Sequence, residues 1–166
     1  MGSSDGPEIS TGIISLRPAA AGDNDFLMQV YASTRHEEMA LWGWNPAQQK
    51  AFIQMQYDAR RRGYAAAHPS AETSIILQGK SPAGSMIVFR GPGEIRLLDI
   101  SLLSEFRGRG IGRELITMLI SEAARSGAVV RLSVVRGNPA ARLYERLGFV
   151  ATGGDAIYCE MECLPK

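Results

Sequence analysis

Ile95-Arg96-Leu97-Leu98-Asp99-Ile100-Ser101-Leu102-Leu103, then Arg107-Gly108-Arg109-Gly110-Ile111-Gly112, then Leu115, Ile116, Leu119, Ile120, Ala123 and Ala124 read as strand, glycine loop and helix in direct succession. The first stretch is apolar at both alternate sets of positions except Arg96, Asp99 and Ser101, the pattern of a central strand covered on both faces. The last positions form one helical stripe, predicting a helix over Gly112 to Arg125 with Gly127 as its stop. A junction of this kind leaves the first amides of the helix without intrahelical partners and adds the positive end of the helix dipole. It is therefore an anion site. The glycines allow close approach of a ligand to the backbone, and Arg107, Arg109 and Arg113 bring positive charge. A Walker loop is excluded because no Gly-Lys-Ser/Thr occurs. The dinucleotide fingerprint fails as well, because position 113 is arginine and the chain offers Leu132 where an acid is needed about 20 residues on. The plain alternative is a glycine-rich turn with solvated arginines.

Working outward, Ile13 to Arg17 reads as a short strand, and a helical pattern through Phe26, Leu27, Val30 and Tyr31 continues over Arg35 to Ala40. A second helix is predicted over Pro46 to Arg62 after the aromatic connection Leu41 to Pro46. Ser74 to Gln78 and Ser85 to Phe89 form a hairpin around the turn-forming cluster Gly79 to Gly84. Downstream come a strand at Val129 to Val134, a short helix from Pro139 to Leu147 behind an Asn138 cap, and a closing strand at Ile157 to Cys163. The order strand, two helices, three strands, helix, strand, helix, strand indicates an α/β domain in three layers with a mixed sheet. We expect residues 1–12, polar and rich in glycine and serine, to be disordered, and 13–166 to form one domain.

The chain has 166 residues, 45% of them hydrophobic, which suits one globular domain with a sizeable core. Lysine and arginine number 18 against 17 acids, so no global field recruits nucleic acid or an anionic membrane. Neither a long apolar span nor a signal peptide is evident, and the expected location is cytoplasmic. Cys159 and Cys163 share one strand, where four steps put them about 13 Å apart, too far for a disulfide. Two distant histidines, His36 and His68, give no metal-ligand spacing with them, and no metal is expected. Asp99 is the acid that stands out, since burial in an apolar strand raises a carboxyl toward the range useful for a general base. The alternative for Asp99 is a structural pair with an arginine, and Glu37 and Glu38 are other candidate bases. Trp42, Trp44 and Tyr64 either line an acceptor site or simply pack.

Arg107-x-x-Gly110-x-Gly112 resembles the first signature of the GNAT superfamily of acetyltransferases, and Asn138-Pro-Ala-Ala-Arg-Leu-Tyr-Glu-Arg-Leu-Gly-Phe149 resembles its second. Leu16-Arg17-Pro18-Ala19 is similar to the opening of many members, whereas Ser104 stands where relatives often carry proline. The resemblance implies a three-layer α/β/α fold with a mixed twisted sheet splayed between the fourth and fifth strands, a gap that a β-bulge would open. It implies acetyl-CoA as acyl donor, with its pyrophosphate on the amides of Gly108, Arg109, Gly110, Ile111, Gly112 and Arg113, beside Arg107. Its pantetheine arm would run along Leu102, Leu103 and Ser104, with Asn138 a further contact. Tyr144 would stand near the leaving sulfur as its acid, while a primary amine, from a small molecule or a peptide, attacks the thioester directly in a ternary complex. The other function considered is a non-catalytic acyl-CoA-binding or regulatory domain. Dimers are common among such proteins, so a homodimer is possible.

Overall fold

The computed structural model describes residues 13–165, so the expectation for residues 1–12 lies outside the described residues. The chain runs β1 (Ile14–Pro18), α1 (Asn24–Leu41), α2 (Pro46–Ala67), β2 (Glu72–Gln78), β3 (Ser81–Gly91), β4 (Glu94–Leu102), α3 (Ile111–Ser126), β5 (Val129–Val135), α4 (Ala140–Arg146), β6 (Val150–Gly154) and β7 (Tyr158–Cys163). The strands make one sheet in the order β1-β2-β3-β4-β5-β7-β6. Only β4 and β5 pair in parallel, which requires the crossover that α3 supplies. Helices cover both faces, so the expected three-layer mixed α/β architecture is the one observed.

Two expectations need correction. β6 was not foreseen: all five of its residues are exposed, so Val150-Ala-Thr-Gly-Gly carries no alternation of apolar and polar positions. The turn between β2 and β3 is Gly79-Lys80 alone, because Gln78 already pairs with Ser81. Pro82 and Gly84 belong to β3, not to the turn, and the ladder accommodates them by a register shift next to Leu77. Gly84 serves close packing: a Cβ there would run into the carbonyl oxygen of Ser101 on β4. Gly84→Ala is accordingly expected to cost about 1–3 kcal/mol, the usual penalty for overpacking, read as a lowered midpoint in urea.

α3 is the best-defined amphipathic element. It begins at Gly110, held in the left-handed region at φ 82°, and stops at Gly127, φ 71°. Its buried face of Ile111, Leu115, Ile116, Leu119 and Ala123 meets Ile95, Leu97, Val130 and Leu132 of the sheet. Each large side chain so buried contributes about 1.5–3 kcal/mol. α2 starts in a reciprocal cap, in which Asn45 Oδ1 accepts from the Gln48 amide at 2.9 Å and Gln48 Oε1 accepts from the Asn45 amide at 3.0 Å. It continues past Arg62, where the sequence pattern ends it, to Ala67.

Pairing between β4 and β5 holds from Glu94 with Val129 to Leu97 with Leu132 and then stops. At that point β4 carries a bulge. Opposite β3, Ile87 faces Asp99 and Val88 faces Leu97, which leaves Leu98 as the extra residue. The bulge has a consequence for which side chains face where. Ile95, Leu97, Ile100 and Leu102 pack toward α3, whereas Asp99 and Ser101 face α1 and α2. Without the bulge, the strict alternation of a strand would put Asp99 on the same side as Leu97.

Candidate active site

Glycine at 108 and 110, with φ 76° and 82°, turns the chain sharply before α3, in a conformation L side chains rarely adopt. Among the described residues, no amide from Gly108 to Arg113 donates to a protein acceptor, and the first bond of the helix is Glu114 N to Gly110 O at 3.0 Å. The residues that carry these amides are exposed or half-buried except Ile111, whose side chain anchors the core. Arg107, Arg109 and Arg113 are exposed around them. Arg109 lies over the Phe106 ring at 5.4 Å and donates to Gln78 at 3.1 Å. The loop thus gathers unpaired donors, a helix N-terminus and guanidinium groups in one place.

The open edge of β4 leads from the bulge to this loop. Leu103 donates its amide to Ala83 O at 2.8 Å, and its carbonyl accepts from Phe106 at 2.9 Å, so its backbone is committed to the protein's own frame. Because successive residues point opposite ways, the backbone groups of Leu102 face the gap left by β5. Arg107 Nε donates to the Leu102 carbonyl at 2.9 Å, which leaves the Leu102 amide facing the gap, followed by exposed Ser104. Asn138 caps α4 by accepting from the Ala140 amide at 2.9 Å, and its side-chain NH2 is what remains to offer a ligand.

Tyr144 on α4 is 7% exposed and packs on Phe149, ring centroids 5.8 Å apart, within the α3-side core. Its hydroxyl makes no hydrogen bond to a described protein group, yet no buried side-chain oxygen is left unpartnered, so the hydroxyl reaches an accessible space. Burial pushes its pKa up, and the charge of Asp99 adds to the rise. The two groups therefore sense one another although they belong to opposite faces of the sheet.

Asp99 is 20% exposed and accepts from Arg60 at 2.6 Å and from Ser101 at 3.3 Å. Burial raises its carboxyl above the ordinary range, against the pull of Arg60 and Ser101. Arg60 was not singled out in the sequence, nor was its role with Tyr64. Its guanidinium donates to the Tyr64 hydroxyl at 3.1 Å, and that hydroxyl donates to the carbonyl of Leu98, the bulged residue, at 3.2 Å. Ile53, Tyr57, Arg60 and Tyr64 recur at helical spacing, and an arginine on an otherwise apolar and aromatic stripe was the available signal. Tyr57, Arg60 and Tyr64 wall a cavity of about 360 Å³ between the sheet and α1 with α2. Tyr64 lines it, but Trp42 and Trp44 do not: they meet Phe52 edge-on, with ring centroids 5.1–5.3 Å apart, at the α1–α2 connection. Glu37 faces a separate groove of about 660 Å³ shared with Ser104 and Arg107, and Glu38 pairs with Arg35 at 2.9 Å. His68 packs on Phe89 at 4.7 Å. Among the described residues no three His, Cys, Asp or Glu side chains gather as a metal site requires, and no helix is long and apolar enough to cross a membrane.

A family model described as Acetyltransferase (GNAT) family matches residues 24–149, from the start of α1 to the end of the second signature. The chain belongs to the GNAT acetyltransferase family. Among relatives, the L-methionine sulfoximine/L-methionine sulfone acetyltransferase of Pseudomonas paraeruginosa is 28% identical over 151 residues, which span 84% of this chain and 81% of that protein. Among solved structures, the PaiA N-acetyltransferase from Thermoplasma acidophilum, in complex with coenzyme A, superposes with a TM-score of 0.68 at 18% identity, over 92% of this chain and 99% of that one. The ribosomal-protein-S18-alanine N-acetyltransferase from Escherichia coli gives 0.59 at 21% identity, over 92% and 94%. At these identities the superpositions speak for the GNAT fold, and the splayed, open sheet belongs to it.

Proposed function

We propose that residues 13–166 act as one N-acetyltransferase domain that moves an acetyl group from acetyl-CoA to a primary amine by direct attack within a ternary complex. The observation that carries this reading is the row of amides from Gly108 to Arg113, unpaired at the start of α3 and ringed by Arg107, Arg109 and Arg113. Such a row matches a pyrophosphate in charge and in donors. Coenzyme A accompanies the Thermoplasma relative in its solved structure, which supports the same ligand here. The Leu102 amide and Ser104 then offer backbone pairing to an extended arm, and Asn138 its side-chain NH2. Bound acetyl-CoA supplies an acyl carbon already activated by attachment to sulfur. The amine loses one ammonium proton to a base, and its nitrogen takes that carbon as the carbon–sulfur bond breaks. The nitrogen gives up a second proton as the amide forms, and the sulfur gains one to leave as thiol, so one proton is released overall.

In this reading Asp99 receives the ammonium proton, directly or through water, and the Tyr144 hydroxyl donates a hydrogen bond toward the departing sulfur. The base must be ionised to act, so kcat/KM falls as pH drops through the Asp99 pKa, which lies above the ordinary carboxylate range. Asp99→Asn is expected to lower turnover at neutral pH about ten- to a hundredfold, with water taking over as acceptor, and to remove that acidic limb. Acetyl-CoA affinity should hold. A pH–rate profile of the variant checks this, and an unchanged acidic limb would return Asp99 to a structural role with Arg60.

Thiol release from acetyl-CoA in the presence of a panel of primary amines tests the reading as a whole. Tight CoA binding with no acetylated product across the panel would favour a non-catalytic acyl-CoA-binding domain instead.

A further inference from the structure

The cavity under α1 and α2 has a charge balance that bears on the acceptor. Its ionisable walls, tyrosines aside, are Arg60, Arg61 and Asp99, two cations against one anion. Arg60 and Asp99 are joined at 2.6 Å and offset each other. Arg61 pairs with no carboxylate among the described residues, and its guanidinium lies 5.6 Å from the centre of the Tyr57 ring, at the rim of the same cavity. Stacking on an aromatic ring holds a guanidinium while leaving its donor edge to meet a planar anion. The remaining lining includes the polar groups of Asn24 on α1 and of Thr73, Ser85 and Ser101 on the strands, and an apolar patch of Leu27, Val30 and Ile87.

A cavity with one surplus positive charge repels a second ammonium, so a polyamine is a poor occupant. It favours an amine that brings its own negative charge. At about 360 Å³ it also stands near the small end of ligand cavities, suited to a metabolite. We infer that this cavity is the acceptor subsite and that it takes free amino acids, with the carboxylate on Arg61, the amino group on the Asp99 side and an apolar side chain over Leu27, Val30 and Ile87. The inference rests on the acyl-transfer reading above and adds the acceptor class to it. Arg61 acts in binding alone, and the bond changes are those already given.

The test uses the full chain with acetyl-CoA and follows thiol release. L-Leucine, L-methionine and L-valine are each compared with the corresponding amide, and with cadaverine, at equal concentrations of free amine. At least one amino acid should exceed its amide in kcat/KM by about ten- to a hundredfold, the worth of a charged hydrogen-bonded contact. Arg61→Gln should bring that ratio to near one by raising KM for the amino acid with little change in kcat. Arg62→Gln, one position on and outside the cavity, should keep the ratio. Amides or cadaverine reacting as well as the amino acids, or a ratio that survives Arg61→Gln, would overturn the acceptor assignment while leaving acyl transfer in place. No product from any amine, with acetyl-CoA still raising the melting temperature, would overturn acyl transfer and this inference together.

Discussion

Tyr144→Phe is expected to lower turnover about ten- to a thousandfold, with little change in acetyl-CoA affinity or in stability. The ring is 7% exposed and packs on Phe149, and phenylalanine keeps that packing. Nothing in the protein loses a partner, because the hydroxyl bonds to no described protein group. What is removed is one hydrogen-bond donor. An unperturbed phenol and thiol differ by about 1.5 pKa units, so complete proton transfer to the sulfur is uphill by about 2 kcal/mol. Burial and the nearby Asp99 charge raise the phenol further and widen that difference. The hydroxyl therefore acts as a hydrogen-bond donor to developing thiolate, and it stays protonated beyond the ordinary phenol range. The variant's basic limb should accordingly match the wild type's up to that range. Full activity under conditions where chemistry limits the rate would reduce Tyr144 to packing.

Gly110→Asp should abolish the rise in melting temperature that acetyl-CoA gives the wild type. Gly110 occupies the left-handed region at φ 82°, where aspartate is among the better tolerated replacements. The left-handed conformation costs a non-glycine residue about 1–2 kcal/mol. A new Cβ meets nothing within 4 Å. The folded protein should therefore survive, while a carboxylate now stands among the amides offered to phosphate. Retention of the full thermal shift would remove the loop from the account of cofactor binding.

The parts of the fold read most readily from sequence were those whose signal is local. α3 announces itself by the spacing of Leu115, Ile116, Leu119 and Ala123, all buried, and the loop before it by its glycines. The mixed sheet and its splay followed from element order and family resemblance, and the bulge at Leu98 supplies the physical reason for the gap. β6 escaped because an exposed edge strand has no burial pattern to read. The β2–β3 turn was overestimated because Pro82 and Gly84 signal turns in general, whereas here one tolerates an irregular ladder and the other makes room for Ser101. The cavity was hidden for another reason. Arg60 meets Asp99 across 39 positions of chain, and no local pattern encodes that meeting. Asp99 was legible as an odd acid in an apolar strand, but the face it occupies depends on the single extra residue before it.

That extra residue also separates the molecule's tasks along the chain. The walls of the cavity come from Ala19 through Ser101, and the groups assigned to the donor run from Leu102 through Tyr144. The two sets of groups are thus written in consecutive halves of the sequence. On the proposed reading, substitutions at the cavity-lining positions of α1 and α2, such as Leu27, Val30 and Arg61, can retune which acceptor is admitted while the donor groups stay in place. The chain can change its customer without changing its currency.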